Sequence, residues 1–426
     1  MINNIKNKIL LLMLLVVSLT ACNNDNDIDN SLPETEPKPY LVRTIAEKHF
    51  TKNDLAVLVS EYAAGQGINL PPFIISELMC DVDVASIEYN TTGPDGNSVV
   101  ASGVIAIPSG TTSYGTLLSM QHGTLDMEDA PSLQMFYYEM LPVIKGNILV
   151  MADYLGYGSS QTPDRQHPYL HAKLTGTTCA DMIEAAREYL SSKNIEERAD
   201  SIELAGYSQG GQATIATLLE LEQRGKAKSI KGVYAGGGAY DLESVLQTFI
   251  SATQAGQPYK NSGYVPYLIR GMAYGEQLEL NDNNIYAKDV IDKGLCSMFS
   301  SRPLSEWHEA LGTDLAKVMH PDFFAAPTYN GNNDVISIIE ALKKNSLANS
   351  PVKPQTFINL YHSPQDELVP YSNAVDVHAA WPLSTLTDLT MNSHVLGGIE
   401  FMLRYMGLWD TLGPTLKNSQ ASQAAE

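Results

Sequence analysis

Ile202-Glu203-Leu204-Ala205-Gly206-Tyr207-Ser208-Gln209-Gly210-Gly211-Gln212-Ala213-Thr214-Ile215-Ala216-Thr217-Leu218-Leu219 is the stretch that decides the fold. A strand-like run over Ser201 to Ala205 meets a helix-like run from Gln212 to Gln223, and Gly206 to Gly210 between them fits G-x-S-x-G. The five-residue pattern alone is weak, because chance produces it often. Its setting gives it weight: strand, sharp turn and helix place a serine at the tip of a strained bend. Glycines beside it let neighbouring backbone approach closely. A helix starting behind the serine directs N–H groups and a positive dipole end at any oxyanion formed there. Glu203 is out of place in a strand expected to be buried on both faces.

Outward from this turn, strand-like and helix-like runs alternate. Val82 to Tyr89 and Ser98 to Ile107 read as two strands joined by the turn Thr92-Gly93-Pro94-Asp95-Gly96. Gly115 to Met120, Asn147 to Ala152, Ser229 to Ala235 and Gln355 to Tyr361 are further strands, and Thr178 to Leu190 reads as a helix. Apolar positions from Leu55 to Tyr62 have helical spacing. Alternation of this kind predicts a mostly parallel central sheet covered by helices. From Leu242 to about Ser350 it breaks off into a largely helical segment rich in aromatics, among them Phe249, Tyr264, Tyr267, Trp307 and Phe323. An insertion of this size is most simply a cap over the ligand end of the sheet.

A nucleophilic serine needs a base and an acid, and on such a turn they follow it in the chain, acid first. Of nine histidines, His308, His320, His362, His378 and His394 come after Ser208. The first two fall in the insertion; His394 follows the last acidic segment and opens an apolar run, which makes it the best base. Asp366, on the loop beyond the strand ending at Tyr361, is the expected acid, with Glu367 its close competitor. The amide of Gln209 is one expected oxyanion donor. The turn Gln121-His122-Gly123-Thr124 supplies the second, through Thr124 or alternatively Gly123, with His122 anchoring the loop.

The N-terminus carries a different message. Lys6 and Lys8 precede an apolar run from Ile9 to Leu19, and no acidic residue occurs before Asp25. That run is shorter than the roughly 20 residues of a membrane span, and with small residues behind it reads as a secretory signal. Leu19-Thr20-Ala21-Cys22 resembles the lipobox of bacterial lipoproteins, in which the thiol of Cys22 is acylated. The mature chain would start at Cys22, in the cell envelope, held by lipid on the periplasmic face or cell surface. Removing Lys6 and Lys8 takes the net charge from −21 to −23, which opposes nucleic acid as a partner. Cys80, Cys179 and Cys296 are too few for a disulfide scaffold and not clustered for metal, although one pair could bridge.

Gln121 to Thr124, Ala152-Asp153-Tyr154-Leu155-Gly156-Tyr157-Gly158, His167-Pro168-Tyr169-Leu170-His171, Gly206 to Gly211 and Gly236 to Leu242 together resemble the secretory lipase (lipase A-like) branch of the α/β-hydrolases. The likeness is closest to bacterial secreted lipases and esterases of plant cell-wall material. It implies an α/β-hydrolase fold with Ser208, Asp366 and His394 as the triad, and Asp153 shaping a loop near the site. The expected organisation is a signal peptide over residues 1–21 and an acidic tether over 22–38. The hydrolase core follows over 39–241 and 351–426, interrupted by the cap at 242–350. The activity implied is that of a monomeric serine carboxylic-ester hydrolase, with no metal or organic cofactor, acting on short-to-medium acyl or glycan-linked esters. A peptidase on the same fold and a catalytically idle, lipid-anchored binding protein are the rivals. Cys22→Ser is expected to abolish incorporation of a fatty-acid analogue in metabolic labelling; equal labelling of both proteins would refute the anchor.

Overall fold

The computed structural model describes residues 39–65, 76, 79–111, 113–197 and 201–423. The expected signal peptide, Cys22 and the expected acidic tether lie outside the described residues. Nine strands form one sheet in the order β1-β2-β3-β5-β4-β6-β7-β8-β9. Their ranges are β1 Leu41–Phe50, β2 Val82–Thr92, β3 Ser98–Pro108, β4 Leu117–Gln121, β5 Ile148–Ala152, β6 Ile202–Tyr207, β7 Ile230–Gly236, β8 Ile358–His362 and β9 Ser384–Asp388. From β5 across to β9 every pairing is parallel, and β1, β2 and β3 add an antiparallel end. The central strands are buried on both faces because helices cover the sheet: all five residues of β4 and of β5 are buried.

Two strands lacked a legible pattern. β1 (LVRTIAEKHF) is exposed along nearly its whole length, so burial imposes no alternation on it. Its charges suit a sheet edge, where they discourage pairing with another chain. β9 is five residues long and only its first is buried. The helix expected over Thr178 to Leu190 begins earlier, as α2 at Ala172–Ser192, following α1 at Lys52–Gly65. Its start escaped notice because a histidine caps it: a His171 ring nitrogen accepts the Leu174 N–H at 3.3 Å. Glu203 also finds its explanation, since the Tyr405 hydroxyl donates to its carboxylate at 2.6 Å.

After Ser208 comes α3, Gln209–Gln223. Leu242 to Asn349 lies between β7 and β8 and contains α4 Leu242–Gln254, α5 Tyr264–Gly275, α6 Leu304–Leu311 and α7 Asn333–Asn345. This insertion has its own apolar cluster, with Leu246, Ile269, Phe299, Trp307, Phe323 and Ile338 buried, and it reaches Tyr169, Leu170 and Val369 of the sheet's loops. The described residues from Pro39 onward cluster as a single compact unit. The chain ends in α8 Tyr371–Ala380, α9 His394–Met406 and α10 Trp409–Gln423. Cys80, Cys179 and Cys296 are all unbridged. Among the described residues no helix is long and apolar enough to cross a membrane.

α2 and α3 lie side by side on one face of the sheet, and Gly176 permits their approach. A Cβ at Gly176 would fall inside the contact distance of the Ala216 carbonyl. Gly176→Ala, remote from Ser208, should therefore cost about 1–3 kcal/mol through overpacking, read as a lowered denaturation midpoint with an unchanged slope.

Candidate active site

The bend after β6 forces Ser208 to φ 61° and ψ −124°, a region that non-glycine residues seldom occupy. Its neighbours hold it there. The Ser208 N–H donates to the Gly236 carbonyl at 2.9 Å, and its own carbonyl accepts the N–H groups of Gly211 and Gln212. At Gly210 a side chain would run into the Gln121 carbonyl, so β4 and the start of α3 meet backbone to backbone. The serine hydroxyl thus projects beyond the carboxyl ends of the central strands, above the first amides of a helix.

His394, the first residue of α9, faces that hydroxyl: Nε2 lies 2.7 Å from Ser208 Oγ. Its Nδ1 lies 2.6 Å from Asp366 Oδ2. With Nδ1–H donating to the carboxylate, Nε2 presents its lone pair to the serine. Asp366 is locked in turn, because its Oδ1 accepts the N–H groups of Leu368 at 2.9 Å and Val369 at 2.8 Å. Burial opposes its charge, but the hydrogen bonds from His362 and His394 outweigh burial and hold the carboxyl well below the usual range. Glu367 is an exposed neighbour with a separate task. Its carboxylate accepts the His394 backbone N–H at 2.9 Å and caps the helix that carries the imidazole.

The other downstream histidines are placed elsewhere. His362 is fully buried, with Nε2 2.9 Å from the Val369 carbonyl and 3.3 Å from Asp366 Oδ2, so it backs the acid and does not face the serine. A His308 nitrogen accepts the Gly263 N–H, one of His320 accepts the Asp322 N–H, and His378 pairs with Ser384.

On the far side of Ser208, the turn after β4 is anchored from several directions. His122 is buried, with Nδ1 2.7 Å from the Gly123 carbonyl and Nε2 3.2 Å from that of Asp153. Burial lowers its pKa to about 4 and keeps the ring neutral. The Tyr154 hydroxyl donates to the His122 carbonyl, and that of Tyr157 donates to the Leu125 carbonyl. Asp153 receives the Ser102 hydroxyl at 2.6 Å and the Ser132 N–H at 2.8 Å, tying the loop after β5 to β3. Gly123, the alternative oxyanion donor, is already engaged, because its N–H donates to the buried Glu139 carboxyl at 3.0 Å. The Thr124 side chain pairs with the Tyr169 hydroxyl at 2.8 Å. Gln209 is also fixed: its side-chain N–H₂ donates to His167 Nε2 at 2.9 Å, while His167 Nδ1 donates to the Leu155 carbonyl. The sequence reading gave no role to Glu139, His167 or Tyr169. His167 and Tyr169 stand in a segment that carried the family resemblance, whereas Glu139 sits in no motif.

A cavity of about 60 Å³ opens over Ser208, lined by Thr124 and Tyr169 and, from the insertion, by Phe249, Tyr259, Tyr264 and Leu268. A larger cavity of about 660 Å³ lies beyond Tyr267 and does not include the serine among its walls. Ser208 decides which of the two concerns the chemistry. Among the described residues no group of three or more His, Cys, Asp or Glu side chains is gathered to hold a metal ion.

None of the curated proteins matches the chain. Solved structures do. A protein from Legionella pneumophila assigned as a hydrolase superposes with a TM-score of 0.70 at 24% identity, over 86% of this chain and 96% of that one. The rice cell wall degrading esterase LipA from Xanthomonas oryzae follows at 0.65 and 22%, over 87% and 98%. Candida antarctica lipase A in its closed state gives 0.57 and 14%, over 85% and 80%. At these identities the likeness speaks for the α/β-hydrolase fold. The secretory lipase family model matches residues 132–399, a span that holds Ser208, Asp366 and His394, and the chain therefore belongs to the secretory lipase family.

Proposed function

We propose that this secretory lipase family member is a serine carboxylic-ester hydrolase working through an acyl-enzyme. The observation that carries the reading is the unbroken chain Ser208–His394–Asp366, with steps of 2.7 Å and 2.6 Å, on a serine held in a strained bend at a helix start. Ser208 Oγ attacks the ester carbonyl as its proton passes to His394 Nε2; Asp366 steadies the imidazolium. The oxyanion is received by the amide of Gln209, which at the first helical position has no intrahelical acceptor. Thr124 supplies the second amide. His394 then protonates the departing alcohol, and water activated by the same imidazole releases the acid.

The small cavity over Ser208, about 60 Å³, favours short-to-medium acyl groups. Its lining of Phe249, Leu268 and tyrosine rings suits the acyl chain, and the similarity to a cell-wall-degrading esterase agrees with glycan-linked esters. The insertion from Leu242 to Asn349 acts as the cap that selects among them. We further propose that the enzyme works outside the cytoplasm, tethered by lipid on Cys22.

Ser208→Ala or His394→Ala should lower turnover of p-nitrophenyl esters by roughly 10⁴-fold or more with the fold intact. Asp366→Asn should be severe but milder. A fluorophosphonate should label the wild type and not Ser208→Ala; an idle binding protein would leave both unlabelled. Loss of activity in His362→Ala with His394→Ala spared would move the base to His362. Across acetate to palmitate esters the optimum should fall at short-to-medium chains, with no jump in rate above the micellar concentration.

A further inference from the structure

Glu139 stands beside Ser208 and takes no part in the chemistry above. It lies on a short 3₁₀ segment, Tyr138–Lys145, and is 3% exposed. Both its oxygens face the Gly123 N–H, at 3.0 and 3.3 Å. A Cβ placed on Gly123 would lie 3.7 Å from Glu139 Oε1 and 4.0 Å from Ser208 Cβ. The carboxyl and the serine therefore flank a single backbone position, and the next residue, Thr124, lines the cavity over the serine.

The surroundings offer this acid no counter-charge. Tyr62 faces it from α1, Tyr137 and Tyr138 from its own segment, and Tyr154 from the loop after β5. Across Gly123 stands Ser208, whose hydroxyl meets His394 in turn. Burial pushes Tyr62 up to about 12 and the other three tyrosines higher, so all stay uncharged at working pH. No cation pairs with Glu139 among the described residues. Burial raises its own pKa to about 8, with the Gly123 N–H opposing in part. A protonated carboxyl still has a carbonyl oxygen with which to accept that N–H.

We propose that Glu139 is a positioning residue: as a neutral carboxylic acid it fixes the Gly123–Thr124 turn beside Ser208, and its ionisation opposes the oxyanion that forms there. The inference rests on the reading of Ser208 as nucleophile with Thr124 and Gln209 as oxyanion donors. It makes the alkaline side of the activity profile a property of Glu139. The proton leaves to solvent, the hydrogen bond to Gly123 remains, and a negative charge is added where the transition state develops another.

The test is kcat/KM on p-nitrophenyl butyrate from pH 6 to 10 for the wild type, Glu139→Gln and Glu139→Ala, with Ser208→Ala as blank. Wild-type kcat/KM should fall about tenfold or more as pH rises through 8. The ratio of Glu139→Gln to wild type should climb by the same factor, since the amide accepts the Gly123 N–H and cannot ionise. Glu139→Ala leaves that N–H without its partner and should lower kcat at pH 7 with little change in KM.

Thermal unfolding gives a readout apart from activity. Because the native carboxyl keeps a proton that the unfolded chain releases near 4.5, stability is full below that pH and is lost as pH rises to about 8. The wild-type Tm should therefore fall between pH 5 and 8 more than that of Glu139→Gln. A wild-type profile flat to pH 10 overturns the proposal even if Glu139→Gln does not fold, and so does an unchanged decline in Glu139→Gln. If that decline persists while Ser208→Ala is inactive, only the role of Glu139 falls. Wild-type turnover retained by Ser208→Ala would remove the underlying reading as well.

Discussion

The structure depends on one strained backbone position. Ser208, at φ 61°, costs of order 1–3 kcal/mol relative to relaxed backbone, and it persists because everything around it leaves no alternative. β4, β6 and β7 converge on it: the Gly236 carbonyl takes its N–H, and the Gln121 carbonyl presses against Gly210. The parallel sheet brings these carbonyl ends to the same edge, and α3 can begin only where β6 stops. The turn after β4, the imidazole at the head of α9 and the loop bearing Asp366 are the neighbours that such an edge provides.

Burial sorts the histidines. His122 and His167 are sealed in, and desolvation lowers their pKa values to about 4 and about 3, so they serve as neutral pins for the loops around Ser208. His394 is linked to a carboxylate and open toward the serine, the arrangement in which an imidazole gains most from a developing positive charge. The same residue type is thus a loop anchor in one place and the partner of Ser208 and Asp366 in another, and the difference lies in what each ring nitrogen faces. Glu367 illustrates the same division among carboxylates, since it stands next to Asp366 and touches only the backbone of the helix.

Much of this was legible in the chain. The strand–turn–helix around Ser208 could be read because its periodicity changes abruptly at two glycines, and the sheet's parallel half because strand-like and helix-like runs alternate along the chain. Asp366 and His394 followed from chain order once the serine was fixed. What escaped was whatever depends on contact between distant segments. β1 has no buried face to impose a pattern, the start of α2 is capped by a histidine instead of a usual cap residue, and Glu203 makes sense only beside Tyr405, about two hundred positions on. Glu139 escaped for the same reason: nothing in Tyr137-Tyr138-Glu139-Met140 reveals that it will meet Gly123. The preference for Thr124 over Gly123 was already in the sequence, and the contact with Glu139 adds a reason for it, since it occupies the Gly123 N–H.

The three unbridged cysteines bear on how the protein meets a reducing agent. Burial pushes the thiol of Cys179 up to about 12 and that of Cys296 to about 11, and raises that of Cys80. Thiolate, the form that attacks a disulfide or an oxidant, is therefore scarce at each position. Among the described residues the fold is held without a disulfide. Reducing agents should therefore leave the native state of the described residues unaltered.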